Sequence, residues 1–127
     1  MQEMMIFNIQ NILFDVLKNG LSEAKVLKIC EEKPKGKFVL IESIKEEALN
    51  SGRRKFNIIL HTFPDTFDYR VLAKMLEEVK KACNFEAFKV LDGFINFQLI
   101  TSFISSSVEK GYESKLEFVC FLSKNFE

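Results

Sequence analysis

The sequence predicts an α+β fold: an antiparallel or mixed sheet of five to six strands, two helices packed mainly on one face, in the order α-β-β-β-α-β-β-β. Three observations carry that expectation. Residues 3–19 and the stretch VLAKMLEEVKKAC repeat apolar side chains every three or four positions, as a helix with one buried stripe does. RKFNIILHTF and KLEFVCFLS alternate with period two, as half-buried strands do. FEAFKVLDGFINFQLI sets Asp-Gly between two apolar runs, the strongest short-range signal of a hairpin. Such elements, with the helices set against one side of a sheet, make an α+β domain.

In the first helix Met5, Ile6, Ile9, Ile12, Leu13, Val16 and Leu17 form the stripe, and Asn8, Gln10, Asn11, Asp15 and Lys18 fall mainly on the other side. Gly20 fits a C′ stop. Phe14 lies off the stripe, so it either widens the face or touches a partner. AKVLKIC, residues 24–30, reads as a short strand, and EEKPKGK, with Pro34 and Gly36, as a loop. Residues 38–63 read as a long antiparallel hairpin with a charged tip, turned by Asn50, Ser51 and Gly52. Phe56, Ile58 and Leu60 take one face; Lys55, Asn57 and His61 take the other, with Ile59 between. Pro64 ends the strand, and Asp65, Thr66 or Asp68 can cap the second helix. That helix buries Leu72, Met75, Leu76, Val79 and Cys83 and carries Lys80 and Lys81 where cations suit the dipole.

A two-residue turn at Asp92-Gly93 sets Leu91 against Phe94, Val90 against Ile95, Lys89 against Asn96 and Phe88 against Phe97. This puts Phe88, Val90, Ile95, Phe97 and Leu99 on one face and Lys89, Asn96 and Gln98 on the other, a separation that a one-residue slip would destroy. The strand runs on through ITSFISS, a loop at VEKGYES centres on Gly111, and the last strand points Leu116, Phe118, Cys120 and Leu122 inward. Val119 and Phe121 form a second apolar face, covered by this chain or left for a neighbouring subunit.

The 127 residues suit a single domain, 1–127, and 47% hydrophobic with 28% charged residues is an ordinary globular balance. Eighteen cations match eighteen anions, so no global field draws nucleic acid or an anionic membrane. Fourteen phenylalanines suit a Phe-rich core with some rings as interface anchors. Cys30, Cys83 and Cys120 are scattered with no C-x-x-C, which argues for reduced thiols and a cytoplasmic origin. No apolar run is long enough for a membrane span, and MQEMMIFNIQ lacks the basic region of a signal peptide. The single histidine, His61, is read as a surface or sheet-edge residue. Metal-ligand spacings, phosphate-binding glycine loops and nucleophile elbows are all missing from the sequence, so no catalytic, cofactor-binding or metal residue is expected. The basic clusters at Arg53, Arg54, Lys55 and at Lys33, Lys35, Lys37 serve solubility or a charged contact. Without a base-stacking motif they do not suggest sequence-specific nucleic-acid binding.

A leading amphipathic helix, then KPKGKFVLIESI, then a strand ending LHTFPDTFDY that runs into VLAKMLEEVKKAC, then FKVLDGF and a closing GYESKLEFVCFL: in this order residues 8–123 resemble the small tail-completion, or tail-terminator, proteins of long-tailed phages, prophages and gene transfer agents. The resemblance implies a non-enzymatic structural role, in a ring, usually a hexamer, that caps the tail tube and joins it to the head-proximal connector. It also implies that the partners are the chain itself, the tube protein and the connector. The protein would then lie in the bacterial cytoplasm before assembly and in the virion tail afterwards. Ring closure needs two different complementary patches. The family brings no motif of functional residues, so interface candidates come from the physics of the chain: Asn50, Arg53, Arg54 and Lys55 at the charged tip, with Phe14, Val119 and Phe121. The residues also leave open an unrelated cytoplasmic binding or adaptor module for a peptide or small ligand. An enzyme would need a pocket that gathers His61 or a thiol of shifted pKa.

Overall fold

A computed structural model describes residues 2–22, 24–29, 31–32, 35–48, 54–66, 68–83, 87–90, 93–107 and 111–124. Its elements are α1 (Gln2–Gly20), β1 (Lys25–Leu27), β2 (Phe38–Ala48), β3 (Arg54–Phe63), α2 (Tyr69–Ala82), β4 (Ala87–Val90), β5 (Gly93–Ser107) and β6 (Gly111–Lys124). The six strands form one mixed sheet in the order β1-β2-β3-β6-β5-β4. β1 runs parallel to β2, and every other pairing is antiparallel.

Both helices cover one face of this sheet, the inner face. α1 buries Met5, Ile9, Leu13 and Leu17, spaced by four, and α2 buries Leu72, Met75, Leu76 and Val79. Against them stand Val39, Ile41 and Ile44 of β2, Phe56, Ile58 and Leu60 of β3, Leu116, Phe118, Cys120 and Leu122 of β6, and Ile95 and Phe97 of β5. Each large side chain so buried contributes roughly 1.5–3 kcal/mol relative to exposure. Of the three candidate caps for α2, Asp68 serves: its carboxylate accepts the Arg70 N–H at 3.0 Å.

Four local expectations are corrected. Gly20 is the last residue of α1 rather than a residue beyond it. A Cβ there would lie 2.6 Å from the Ala82 Cβ, so the glycine permits close approach of α1 to α2. The first strand is Lys25–Leu27, shorter than 24–30. Gly111 opens β6 at φ 79°, a left-handed conformation that suits glycine, and is not the centre of a longer loop. Finally, Val90 pairs with Gly93, Lys89 with Phe94 and Phe88 with Ile95. The expected register is slipped by two residues, and Leu91 and Asp92 lie outside the described residues. A two-residue slip keeps every side chain on its face, because the period of the pleat is two. Ile95 and Phe97 are buried, and Asn96 and Gln98 exposed, as expected.

β5 carries an irregularity between Leu99 and Thr101. Before it, odd-numbered residues face the helices. After it the phase inverts: Ser102 pairs with inward Leu116, while Phe103 pairs with outward Lys115. One extra residue in a strand has this effect.

Candidate functional site

The face of the sheet opposite the helices is where most of the unexplained side chains gather. On β3 it presents Lys55, Asn57, Ile59 and His61. Their partners across the ladder on β6 are Phe121, Val119, Glu117 and Lys115. Ile100 at the bulge is 51% exposed and Phe103 is 61% exposed. A shallow depression of about 290 Å³ is lined here by Lys55, Asn57, Ile59, Ile100, Glu117 and Val119. Val119 is buried and Phe121 half-buried. At the far end Leu27, Phe38 and Leu40 make a separate small apolar cluster with Phe63, whose ring stacks on Phe38 at 4.5 Å.

Between these apolar areas lies a charged network. His61 Nδ1 is 3.7 Å from a Glu42 carboxylate oxygen, and its Nε2 is 3.3 Å from Glu113, outside hydrogen-bond geometry. Lys115 reaches the same Glu42 oxygen at 3.6 Å, and the imidazole lies 4.2 Å from the Phe63 ring. The histidine is braced by carboxylates and an aromatic ring. Burial pushes the Cys83 and Cys120 thiols up to about 12, which keeps them protonated and poor nucleophiles near neutral pH. Among the described residues no group of three or more His, Cys, Asp or Glu is arranged to hold a metal. No helix among them is long and apolar enough to cross a membrane.

The interface residues expected from the sequence divide in three ways. Lys55, Val119 and Phe121 come together on the outer face, with Lys55 tied to Glu47 at 3.2 Å. Arg54 belongs to the inner face: its guanidinium donates two hydrogen bonds of 2.9 Å to Glu46 and lies 5.4 Å from the Phe56 ring. Those bonds hold the Glu46 carboxyl below its usual range. Phe14 belongs to the helix layer, packed on the rim of the core with Lys28 Nζ 4.9 Å from its ring centroid. Asn50 and Arg53 lie outside the described residues. Sequence reasoning missed Ile100 and Phe103 as part of this face. The signal was their spacing: two residues three apart in a regular strand point to opposite sides, so a shared face requires a bulge.

The fold has a known likeness. The structure matches a chain in "Virion of native gene transfer agent (GTA) particle" with a TM-score of 0.61 and 8% sequence identity, covering 90% of this chain and 85% of that one. The two share an α+β fold over nearly their whole lengths. No protein-family model and no curated protein matches the sequence.

Proposed function

We propose that this chain is a non-enzymatic structural protein of a phage-like particle. It forms a ring, hexameric as in the family it resembles, that caps the tail tube and joins it to the head-proximal connector. The observation that carries this reading is the near full-length likeness to a chain of a gene transfer agent virion. The outer face supports it, since a mixed surface of half-buried apolar side chains with charges at its rim is the usual make-up of a protein contact. In this reading Lys55, Val119 and Phe121, together with Ile59 and Ile100, meet the last ring of the tube. Arg54 acts through its ion pair with Glu46, and Asn50 and Arg53 reach a neighbouring ring. Phe14 belongs to the contact between adjacent subunits. The protein waits in the bacterial cytoplasm and ends in the virion tail.

The test is to mix the purified protein with polymerising tail-tube protein from the same genetic element and measure tube lengths by electron microscopy. Tubes should stop growing and carry a ring at one end. Phe121→Glu should abolish capping, with a thermal melt showing the variant still folded at the assay temperature. Tubes that lengthen as fast with the protein as without it would overturn the reading.

A further inference from the structure

β5 has an edge that the sheet leaves open. Among the described residues β4 pairs only with residues 93–96 of β5, and no strand pairs with 97–107 on that side. The open stretch is solvated: Ile100, Phe103 and Ile104 are 51%, 61% and 38% exposed, and Thr101, Ser102 and Ser106 are exposed too. It contains no charged residue, no proline and no glycine. Monomeric proteins guard such an edge with charge, proline or a bulge, because free N–H and C=O groups invite another strand. The bulge between Leu99 and Thr101 interrupts only the upper part and leaves 101–107 in unbroken register with β6.

We propose that residues 101–107 of β5 pair antiparallel with the same residues of a second copy, about a two-fold axis near Ile104. The occupant follows from charge and length. The only other long free edge among the described residues, 42–48 of β2, carries Glu42, Lys45, Glu46 and Glu47 and is guarded against pairing. The β5 edge brings no like charges together when it meets itself. The run 101–107 is longer than an average strand and pairs from end to end. On the helix side Ile104 meets Ile104 of the second copy, and each Ser102 meets a Ser106. The short β4 lies beyond the paired run and does not obstruct it.

The proposal rests on the edge and not on the ring reading, but the two connect. Neighbours in a polar ring of six are not related by a two-fold axis, so this dimer is the form of the free protein and opens before a ring closes.

The experiment uses the full chain at rising concentration, with mass from light scattering and backbone protection from hydrogen exchange. The expected result is a dimer with alternate amides of 101–107 protected. Ile104→Lys, which sets two cations face to face, should raise the dissociation constant at least several-fold, with no change in melting temperature once monomeric. In a Cys30→Ser background, Ile104→Cys should form a disulfide-linked dimer with mild oxidant, since the two-fold axis sets residue 104 against itself, whereas Ser102→Cys alone should not, since antiparallel pairing sets residue 102 against 106. A monomer at every concentration, a dimer indifferent to Ile104→Lys, or protection of 101–107 only when an unrelated strand peptide is added would overturn it. The ring reading fails separately, on the tube assay.

Discussion

Along residues 42–48 the free edge of β2 is crowded with charge, and each charge near its end has a cross-strand partner: Glu46 holds Arg54, and Glu47 holds Lys55 and Asn57. Along 100–107 the free edge of β5 is serine, threonine and exposed apolar side chains. Both edges belong to one sheet and rest on one core, so packing does not explain the contrast. What differs is what each edge must meet. A strand that faces water for the life of the protein pays for its open hydrogen-bonding groups with charge that repels another strand. One that lacks such charge leaves its N–H and C=O groups open to another strand.

The largest test of this contrast lies within β5 itself. Phe97 is 1% exposed and Phe103 is 61% exposed, six residues apart in one strand. Phe97→Ala should cost about 3–5 kcal/mol in denaturant unfolding, as removal of a buried ring does. Phe103→Ala should change monomer stability by less than about 0.5 kcal/mol. Equal losses would mean that the edge is packed in solution and would break the comparison.

Gly20→Ala is a control remote from both edges. Alanine at a helix position gains about 1 kcal/mol over glycine, but its methyl would sit 2.6 Å from Ala82 Cβ. The clash should win, with a net loss of about 1–3 kcal/mol, measured by thermal melts, while the dimer constant stays the same.

Glu46→Gln tests the guarded edge. The wild-type carboxyl is held below its ordinary value, chiefly by the Arg54 hydrogen bonds. The pair's contribution is therefore complete above the unfolded carboxylate value of about 4.3 and disappears as pH falls through the lower folded value. The variant should lose about 1 kcal/mol at neutral pH and show a flatter acid limb in its stability–pH curve. An unchanged acid limb would show that the pair is broken in solution.

The smallest effect on stability, and the sharpest on the contrast, is expected from Lys45→Thr with Glu47→Thr. Folding free energy should move by no more than about 0.5 kcal/mol. Light scattering should nevertheless show new self-association, because the β2 edge then keeps only Glu42 and Glu46 of its four charges. A variant that stays as soluble as the parent would show that Lys45 and Glu47 are not what guards β2.

The sequence made the architecture readable because two periods, four along α1 and two along β3 and β6, are written in side chains whose burial allows no other phase. Register was harder to read. Asp92-Gly93 advertised a turn, yet Val90 pairs with Gly93, a slip that burial cannot resist because it leaves Ile95 and Phe97 inside either way. The helix–helix contact at Gly20 was unreadable, since Ala82 is far away in the chain and only the fold brings it near. Of the proposed contact face, Val119 and Phe121 were legible from alternation next to Glu117. Ile100 and Phe103 were hidden by a bulge that no pattern of period two contains.

That bulge has a hereditary side. Downstream of residue 100, the odd–even phase of β5 is shifted by a single extra residue. Deleting the Ile100 codon would restore strict alternation and leave Phe103 outward and Ile104 toward the helices, because the pairing of 101–107 with β6 is already regular. A point mutation in this strand edits one contact, whereas a three-base deletion at Ile100 would remove the bulge and keep both surfaces.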